Sequence, residues 1–275
     1  MTITSDLPFA DYLAIDAVHH STLKEIDLSP KHYAHAKRTA RKDTSALVIG
    51  RVVHAMILDP QPPDVVVYEG KTRRGKAWEE FQVAHPGKLI LRRKELEDCT
   101  AMRAAILAHP PAAALFAEGI GEVTLQWQQQ AMHCKARLDW LCPSGAFVDL
   151  KTTWKIRPRS FAQSAAAFSY HTQFAFYDDG VTAVTGTDDR PTPWLVAVEK
   201  KPPHDVAVYR ITRETLDIGR RKVDEWLRKL ATARDTGQWP GVIPHIQDFE
   251  LPEYMAADGL GDIEFDETEG GSDDE

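Results

Sequence analysis

Cysteine is scarce in this chain, and its placement removes several classes of chemistry at once. Cys99, Cys134 and Cys142 are three in number, and no two of them form a Cys-x-x-Cys pair. That argues against a disulfide framework, a four-cysteine zinc site and an iron–sulfur cluster. Long apolar runs are missing too, so nothing in the sequence approaches a membrane span. The stretch Met1-Thr2-Ile3-Thr4-Ser5-Asp6 lacks the basic-then-apolar form of a signal peptide. The expectation is a reduced, cytoplasmic protein with no membrane partner. No internal repeat is apparent.

Basic charge is absent from one end. Between Ile246 and Glu275 there are twelve Asp or Glu and no Lys or Arg. The net charge of −8 therefore hides a mildly basic body, since residues 1–245 carry 33 basic and 29 acidic side chains. Such a body is compatible with a nucleic-acid partner without being evidence for one. The tail is poor in apolar residues and broken at Gly259-Leu260-Gly261 and Gly270-Gly271-Ser272, which predicts a segment that does not fold alone. It solubilises the chain, competes with DNA for the basic face, or docks a partner through Ile263 and Phe265.

What is present is ordinary globular material, 43% hydrophobic and 27% charged over 275 residues, enough for one large domain or two small ones. The expected division is an N-terminal segment 1–20 with little pattern, a folded domain 21–245 and the acidic tail 246–275. Ser21 is a candidate helix cap, with the helix running to about Asp27. Ser29-Pro30 is the signature of another helix start. Thr44 to Leu58 carries an apolar helical stripe ended by Asp59-Pro60, with Gly50 and His54 on one face. Residues 61–87 read as loop, and Leu96 to Ala117 as helix broken near His109-Pro110-Pro111. Glu122 to Gln130 alternates as a strand. Pro158 opens a helix predicted to run to about Asp179, with Gln173 and Tyr177 sharing a face. Trp194 to Glu199 and Asp205 to Ile211 read as strands, and Thr212 to Thr236 as an amphipathic helix.

The centre of the chain is Arg137-Leu138-Asp139-Trp140, a break at Cys142-Pro143-Ser144-Gly145, then Phe147-Val148-Asp149-Leu150-Lys151. Alternation on both sides predicts a hairpin with a three-residue loop and Gly145 in the left-handed position. If Cys142 pairs with Ala146, Asp139 faces Asp149 and Arg137 faces Lys151, with opposed Cβ atoms roughly 5 Å apart. Like charges placed opposite one another destabilise a plain hairpin. A divalent cation between the acids reverses that cost. The acid-x-Lys tripeptide also occurs at Glu69-Gly70-Lys71 and Glu199-Lys200-Lys201, where a solvated ion pair suffices. Only Asp149-Leu150-Lys151 has a second acid across a hairpin. Glu122 begins the preceding strand and could face the region of Asp139. After Lys151 come Trp154, Lys155, Arg157 and Arg159, a basic run interleaved with an aromatic residue. A core histidine at 54 and an exposed polar edge at Gln173 and Tyr177 are the plain alternatives for those residues, and a plain surface loop is the alternative to a DNA-facing segment for the basic run Lys71, Arg73, Arg74 and Lys76.

The order helix, strand, two-acid hairpin with lysine, helix, strand resembles the restriction-endonuclease-like, PD-(D/E)XK, nuclease fold. That fold is α/β (α+β), with a central mixed sheet flanked by helices. The details are similar to the exonuclease VIII (RecE-type) phage recombination exonucleases, related to lambda exonuclease. The pieces that carry the likeness span about residues 20–252. They are Ser21-Thr22-Leu23-Lys24 with Ser29-Pro30, Gly50-Arg51-Val52-Val53-His54, Arg137-Leu138-Asp139 and Val148-Asp149-Leu150-Lys151-Thr152-Thr153. Gln173 with Tyr177, Trp239-Pro240-Gly241 and Leu251-Pro252 complete them. The proline that names the wider motif is absent beside Asp139.

The resemblance implies a Mg²⁺-dependent exodeoxyribonuclease that digests linear double-stranded DNA from 5′ ends and leaves 3′ single strands for an annealing protein. It implies catalytic roles for Lys151, Asp149, Asp139, Gln173 and Tyr177. Two metal ions, Mg²⁺ or Mn²⁺ in its place, would be held by Asp139, Asp149, the Leu150 carbonyl, His54 and Glu122. Arg137, Lys155, Arg157 and Arg159 are the candidate DNA contacts. A ring-like homo-oligomer, trimer or tetramer, would encircle the duplex. Another nuclease of the same fold and a non-catalytic DNA-binding module are the competing expectations.

Overall fold

In the computed structural model, which describes residues 1–5, 7–39, 43–59, 63–187 and 191–251, the alternating and doubly apolar runs become strands. They are β1 (Thr2–Thr4), β2 (Val65–Val67), β3 (Leu89–Leu91), β4 (Ile120–Gln129), β5 (Met132–Leu141), β6 (Phe147–Thr153), β7 (Trp194–Glu199) and β8 (Val206–Arg210). Six of them form one sheet in the order β1-β4-β5-β6-β7-β8, and β2 with β3 makes a separate parallel pair. Within the large sheet β6 and β7 run parallel and the other neighbours antiparallel, so the sheet is mixed as expected. The helices are α1 (Phe9–Ala14), α2 (His20–Leu23), α3 (Pro30–Arg38), α4 (Ser45–Leu58), α5 (Lys76–Ala84), α6 (Arg93–Ala108), α7 (Pro110–Leu115), α8 (Pro158–Ala167), α9 (Tyr170–Thr185) and α10 (Arg213–Thr236). Among the described residues, no helix is long and apolar enough to cross a membrane.

Both faces of the sheet are covered, which is why β7 reads as a nearly continuous apolar run. Phe147, Leu195 and Ala197 face a core shared with Phe174 and Phe176 of α9 and Trp226 of α10. Val148, Leu150, Val196 and Val198 face the opposite core, with Val52 and Val53 of α4 and Met102 and Ile106 of α6. A Cβ on Gly219 would fall 2.2 Å from the His171 carbonyl oxygen, so the missing side chain lets α10 close on α9.

Several expectations are corrected. Residues 1–19 do carry structure: β1 pairs with β4, and Val18 bridges Cys134. Lys135, only 2% exposed, reaches back to this segment and donates to the carbonyls of Tyr12, Leu13 and Ile15 at 2.7, 3.4 and 2.8 Å. Those carbonyls belong to the last turn of α1 and to the residue that ends it. Ser21 does not cap α2; its hydroxyl pairs with His19 Nδ1 at 2.9 Å, and His19 holds the cap position. The region read as loop contains β2 and α5, with β3 just beyond it, all of them short elements. The helix predicted from Pro158 is interrupted, because Ser169 takes a left-handed φ of 60° between α8 and α9.

The first compact unit runs from Met1 to Gly241, and the second comprises Val242–Glu275. Residues 242–251 of the second unit hold neither helix nor strand. The tail features at Gly259-Leu260-Gly261, Ile263, Phe265 and Gly270-Gly271-Ser272 lie outside the described residues.

Candidate active site

The hairpin between β5 and β6 closes with the predicted turn chemistry. The Cys142 N–H donates to the Ala146 carbonyl at 2.8 Å, and Gly145 has a φ of 84°. Trp140 pairs with Val148 and Leu141 with Phe147. Beyond Trp140 and Val148 the two strands part. β5 continues alongside β4, and β6 continues alongside β7. Leu138 packs in the α9–α10 core while Trp140 packs in the α4–α6 core, although both have even numbers. The alternation of faces therefore flips at Asp139. Across β4, Glu122 is absent from the ladder at the position opposite Asp139 and takes a left-handed φ of 55°. Non-glycine residues avoid that region unless the surroundings hold them there, and such sites concentrate where chemistry is done.

Into this split five titratable side chains converge. Asp139 Oδ2 accepts the Leu150 N–H at 2.8 Å and lies 3.6 Å from His54 Nδ1. His54, Glu122 and Asp139 each offer a ligand atom within 4.8 Å of the others. Asp149, 2% exposed, accepts from Gln173 Nε2 at 2.9 Å on Oδ1, while Lys151 Nζ lies 2.6 Å from Oδ2. That second oxygen is in ion-pair contact yet receives no hydrogen bond of regular geometry, so it keeps acceptor capacity in a buried position. The donor set is one imidazole and three carboxylates, of which Asp149 keeps an under-satisfied oxygen in a buried position, and it suits a hard divalent cation.

The electrostatics follow from burial set against neighbours. Burial pushes the Asp149 carboxyl up to about 6, the charge of Asp139 adds to this, and Lys151 opposes it. Burial would raise Asp139 as well, but attraction to His54 and the hydrogen bonds outweigh it and hold the carboxyl low. His54 is driven up in turn, because Asp139 overcomes desolvation. Lys151 is raised by Asp149 and Asp139 against its own burial. Burial keeps the Tyr177 phenol well above its ordinary range.

Residues 19–249 match the family described as a PDDEXK-like domain of unknown function (DUF3799). The chain belongs to this PDDEXK-like family. Among solved structures it is similar to one named as a candidate exonuclease from Eubacterium rectale, at 14% identity and a TM-score of 0.64, over 94% of this chain and 100% of that one. It is also matched by a phage-related exonuclease from Haemophilus somnus 129PT at 14% identity, over 82% of this chain and 100% of that one, with a TM-score of 0.38. Among curated proteins none matches. The first structure shares the fold, which with the family supports a nuclease scaffold.

Within the PDDEXK-like fold the remaining candidates separate into two groups. Gln173 and Tyr177 lie on one face of α9 and reach the site; Gln173 bonds Asp149 and also interacts with Tyr177. Arg137 does not face Lys151, because the strands have already parted. Its guanidinium instead bonds Glu122 and donates to the Leu7 carbonyl at 2.7 Å. Lys155, Arg157 and Arg159 are exposed on the connection into α8 and its first turn. Sequence reasoning missed Tyr170, whose ring lies 5.1 Å from Lys151 Nζ. The spacing of Tyr170, Gln173 and Tyr177, at i, i+3 and i+7 on one helix, was the available signal.

Proposed function

We propose that this PDDEXK-like protein is a metal-dependent exodeoxyribonuclease acting on the ends of linear double-stranded DNA, running 5′ to 3′ and leaving 3′ single strands. The observation that carries the reading is the convergence of Asp139, Asp149 and Lys151 where β5 and β6 separate. Asp139, Asp149, Glu122, His54 and the Leu150 carbonyl are the residues to hold Mg²⁺, or Mn²⁺ in its place. The bound ions supply charge neutralisation at the phosphodiester and a more acidic water.

The chain's own residues set the geometry around that chemistry. Gln173 fixes the rotamer of Asp149 through its amide. Lys151, in contact with Asp149 Oδ2, is held as a cation and offsets charge developing on the phosphate oxygens. The Tyr170 ring beneath its ammonium restrains it further. Arg137 occupies one oxygen of Glu122 and leaves the other for a cation.

Digestion of a linear duplex blocked at one 5′ end or one 3′ end, with and without Mg²⁺, tests the proposal. Loss from the free 5′ end only, and only with the ion, is the expected result. Cutting of covalently closed circles would move the protein to the endonuclease class, and binding without cleavage would make it a DNA-binding module. A ring-shaped trimer or tetramer is the assembly that keeps such an enzyme on its track, and the 3′ strands would pass to an annealing protein. Light scattering showing a monomer under active conditions would remove the ring.

A further inference from the structure

Trp154 stands 62% exposed where β6 ends. Two ammonium groups lie against its ring, Lys200 Nζ at 5.4 Å and Lys201 Nζ at 5.7 Å from the centroid. The turn between β7 and β8 is fastened there: the Lys200 N–H donates to the Thr153 carbonyl at 2.8 Å. The same turn is fixed internally by Glu199 N–H to the Asp205 carbonyl at 2.9 Å and by His204 Nδ1 against the Glu199 carbonyl at 3.0 Å. An exposed indole contributes little to folding, so its fixed setting among cations calls for a ligand.

The charge around it is unneutralised. Among the described residues, none of Lys155, Arg157, Arg159, Lys200 and Lys201 is paired with an acid. Elsewhere on the surface Lys37, Arg51, Lys88, Arg93 and Lys94 each have a carboxylate partner. Cations beside an accessible aromatic face match a nucleic-acid strand, with phosphates on the cations and a base on the ring. Base faces inside a duplex are covered by their neighbours, so the indole can stack only on an unpaired or terminal base. Trp154 lies three residues beyond Lys151, roughly 10 Å along an extended strand. That is about three stacked nucleotides at about 3.4 Å each.

We propose that Trp154, Lys200 and Lys201 form a ledge that holds the unpaired nucleotides next to the reacting end, the base on the indole and the ammonium groups on the flanking phosphates. The ledge rests on the DNA reading above and extends it to a preference for partly single-stranded ends.

The test uses the full chain with Ca²⁺ to hold back hydrolysis, and a duplex either blunt or carrying a short 5′ or 3′ single-stranded extension labelled with 2-aminopurine. Trp154→Ala is expected to weaken binding of one extended duplex about five- to a hundredfold and that of the blunt duplex less than about twofold. It should also abolish the quenching of 2-aminopurine, which Trp154→Phe should largely retain. Changing Lys200 and Lys201 to Ala should weaken both DNAs and flatten the salt dependence. Equal loss on blunt and extended DNA, or no loss on either while the wild type digests duplex, overturns the ledge alone. A wild-type chain that binds neither DNA overturns the nuclease reading together with it.

Discussion

Asp139 Oδ2 accepts the Leu150 N–H at 2.8 Å, so a side chain of β5 closes a hydrogen bond where the backbones of β5 and β6 have already separated. One carboxylate thereby has two duties, holding the split open at a fixed width and facing the cation site. The two can be pulled apart. Asp139→Ala should lower the unfolding free energy by about 1–3 kcal/mol through an unsatisfied buried N–H. Asp139→Asn keeps an oxygen acceptor and should recover most of that, while calorimetric titration shows Mg²⁺ binding weakened in both. Equal destabilisation by Asn and Ala would mean the Leu150 bond is not what the fold loses.

Asp149→Ala and Lys151→Ala should each reduce Mg²⁺-dependent digestion of linear duplex by at least about a hundredfold with near-UV circular dichroism preserved. Gln173→Leu should cost less, since it removes only the bond that orients Asp149. Near-wild-type rates in either of the first two variants would displace the site.

Protons and cations compete at Asp149. Burial, aided by Asp139, raises its carboxyl to about 6 from 3.8. A cation needs the carboxylate form, so apparent affinity should fall by up to about tenfold per pH unit below about 6 and level off above it. Titration in buffers of different ionisation enthalpy reads the proton released on binding. The stability sign is the reverse of an ordinary salt-bridged aspartate: ionised Asp149 opposes folding at neutral pH, and this is relieved as pH falls from about 6 towards 3.8.

His20 predicts an opposing trend. The Thr172 hydroxyl donates to the Ser169 carbonyl at 2.7 Å, so His20 Nε2, at 2.8 Å from that hydroxyl, must be the donor of a neutral imidazole. Burial, with nearby cations, lowers its pKa to about 3 from 6.5. Below 6.5 the unfolded chain takes up a proton that the folded one refuses, so stability is lost progressively towards pH 3. At pH 5 the loss relative to neutral pH is about 2 kcal/mol. Urea unfolding of wild type and His20→Gln at pH 7.5 and 5 should differ by that amount in pH response; parallel responses would place the neutral imidazole elsewhere.

Truncation after Pro252 removes most of an acidic run with no Lys or Arg. Duplex binding should tighten, most at low salt where the Debye length exceeds about 10 Å. Equal affinities across a salt series would leave the solubilising and partner-docking roles.

The hairpin was legible because its causes are local. Pro143-Ser144-Gly145 set the turn, and the closure of Cys142 on Ala146 then carried Asp139 and Asp149 to one place. The flanking helices were legible through the Ser29-Pro30 start, the apolar stripe from Thr44 to Leu58 and the amphipathic pattern from Thr212 to Thr236. The split itself was not. Parting of β5 from β6 depends on a carboxylate replacing a backbone partner, and the flip of faces at Asp139 occupies a single residue. Glu122 and Ser169 adopt left-handed backbone without being glycine, so no local signal marked the kink in β4 or the break between α8 and α9. Arg137 was misplaced for the same reason, since extending the hairpin ladder beyond Trp140 assumed pairing that ends there.

Lys135 bears on where this domain begins. The family match starts at residue 19, yet the carbonyls that surround the Lys135 ammonium belong to Tyr12, Leu13 and Ile15. A chain trimmed to the matched residues would lose the three oxygens that make a buried cation tolerable, along with β1 and its pairing to β4. Residues 2–5 and 7–18 thus serve as a fitted lid over one lysine, and more chain packs onto the front of this unit than the family match covers.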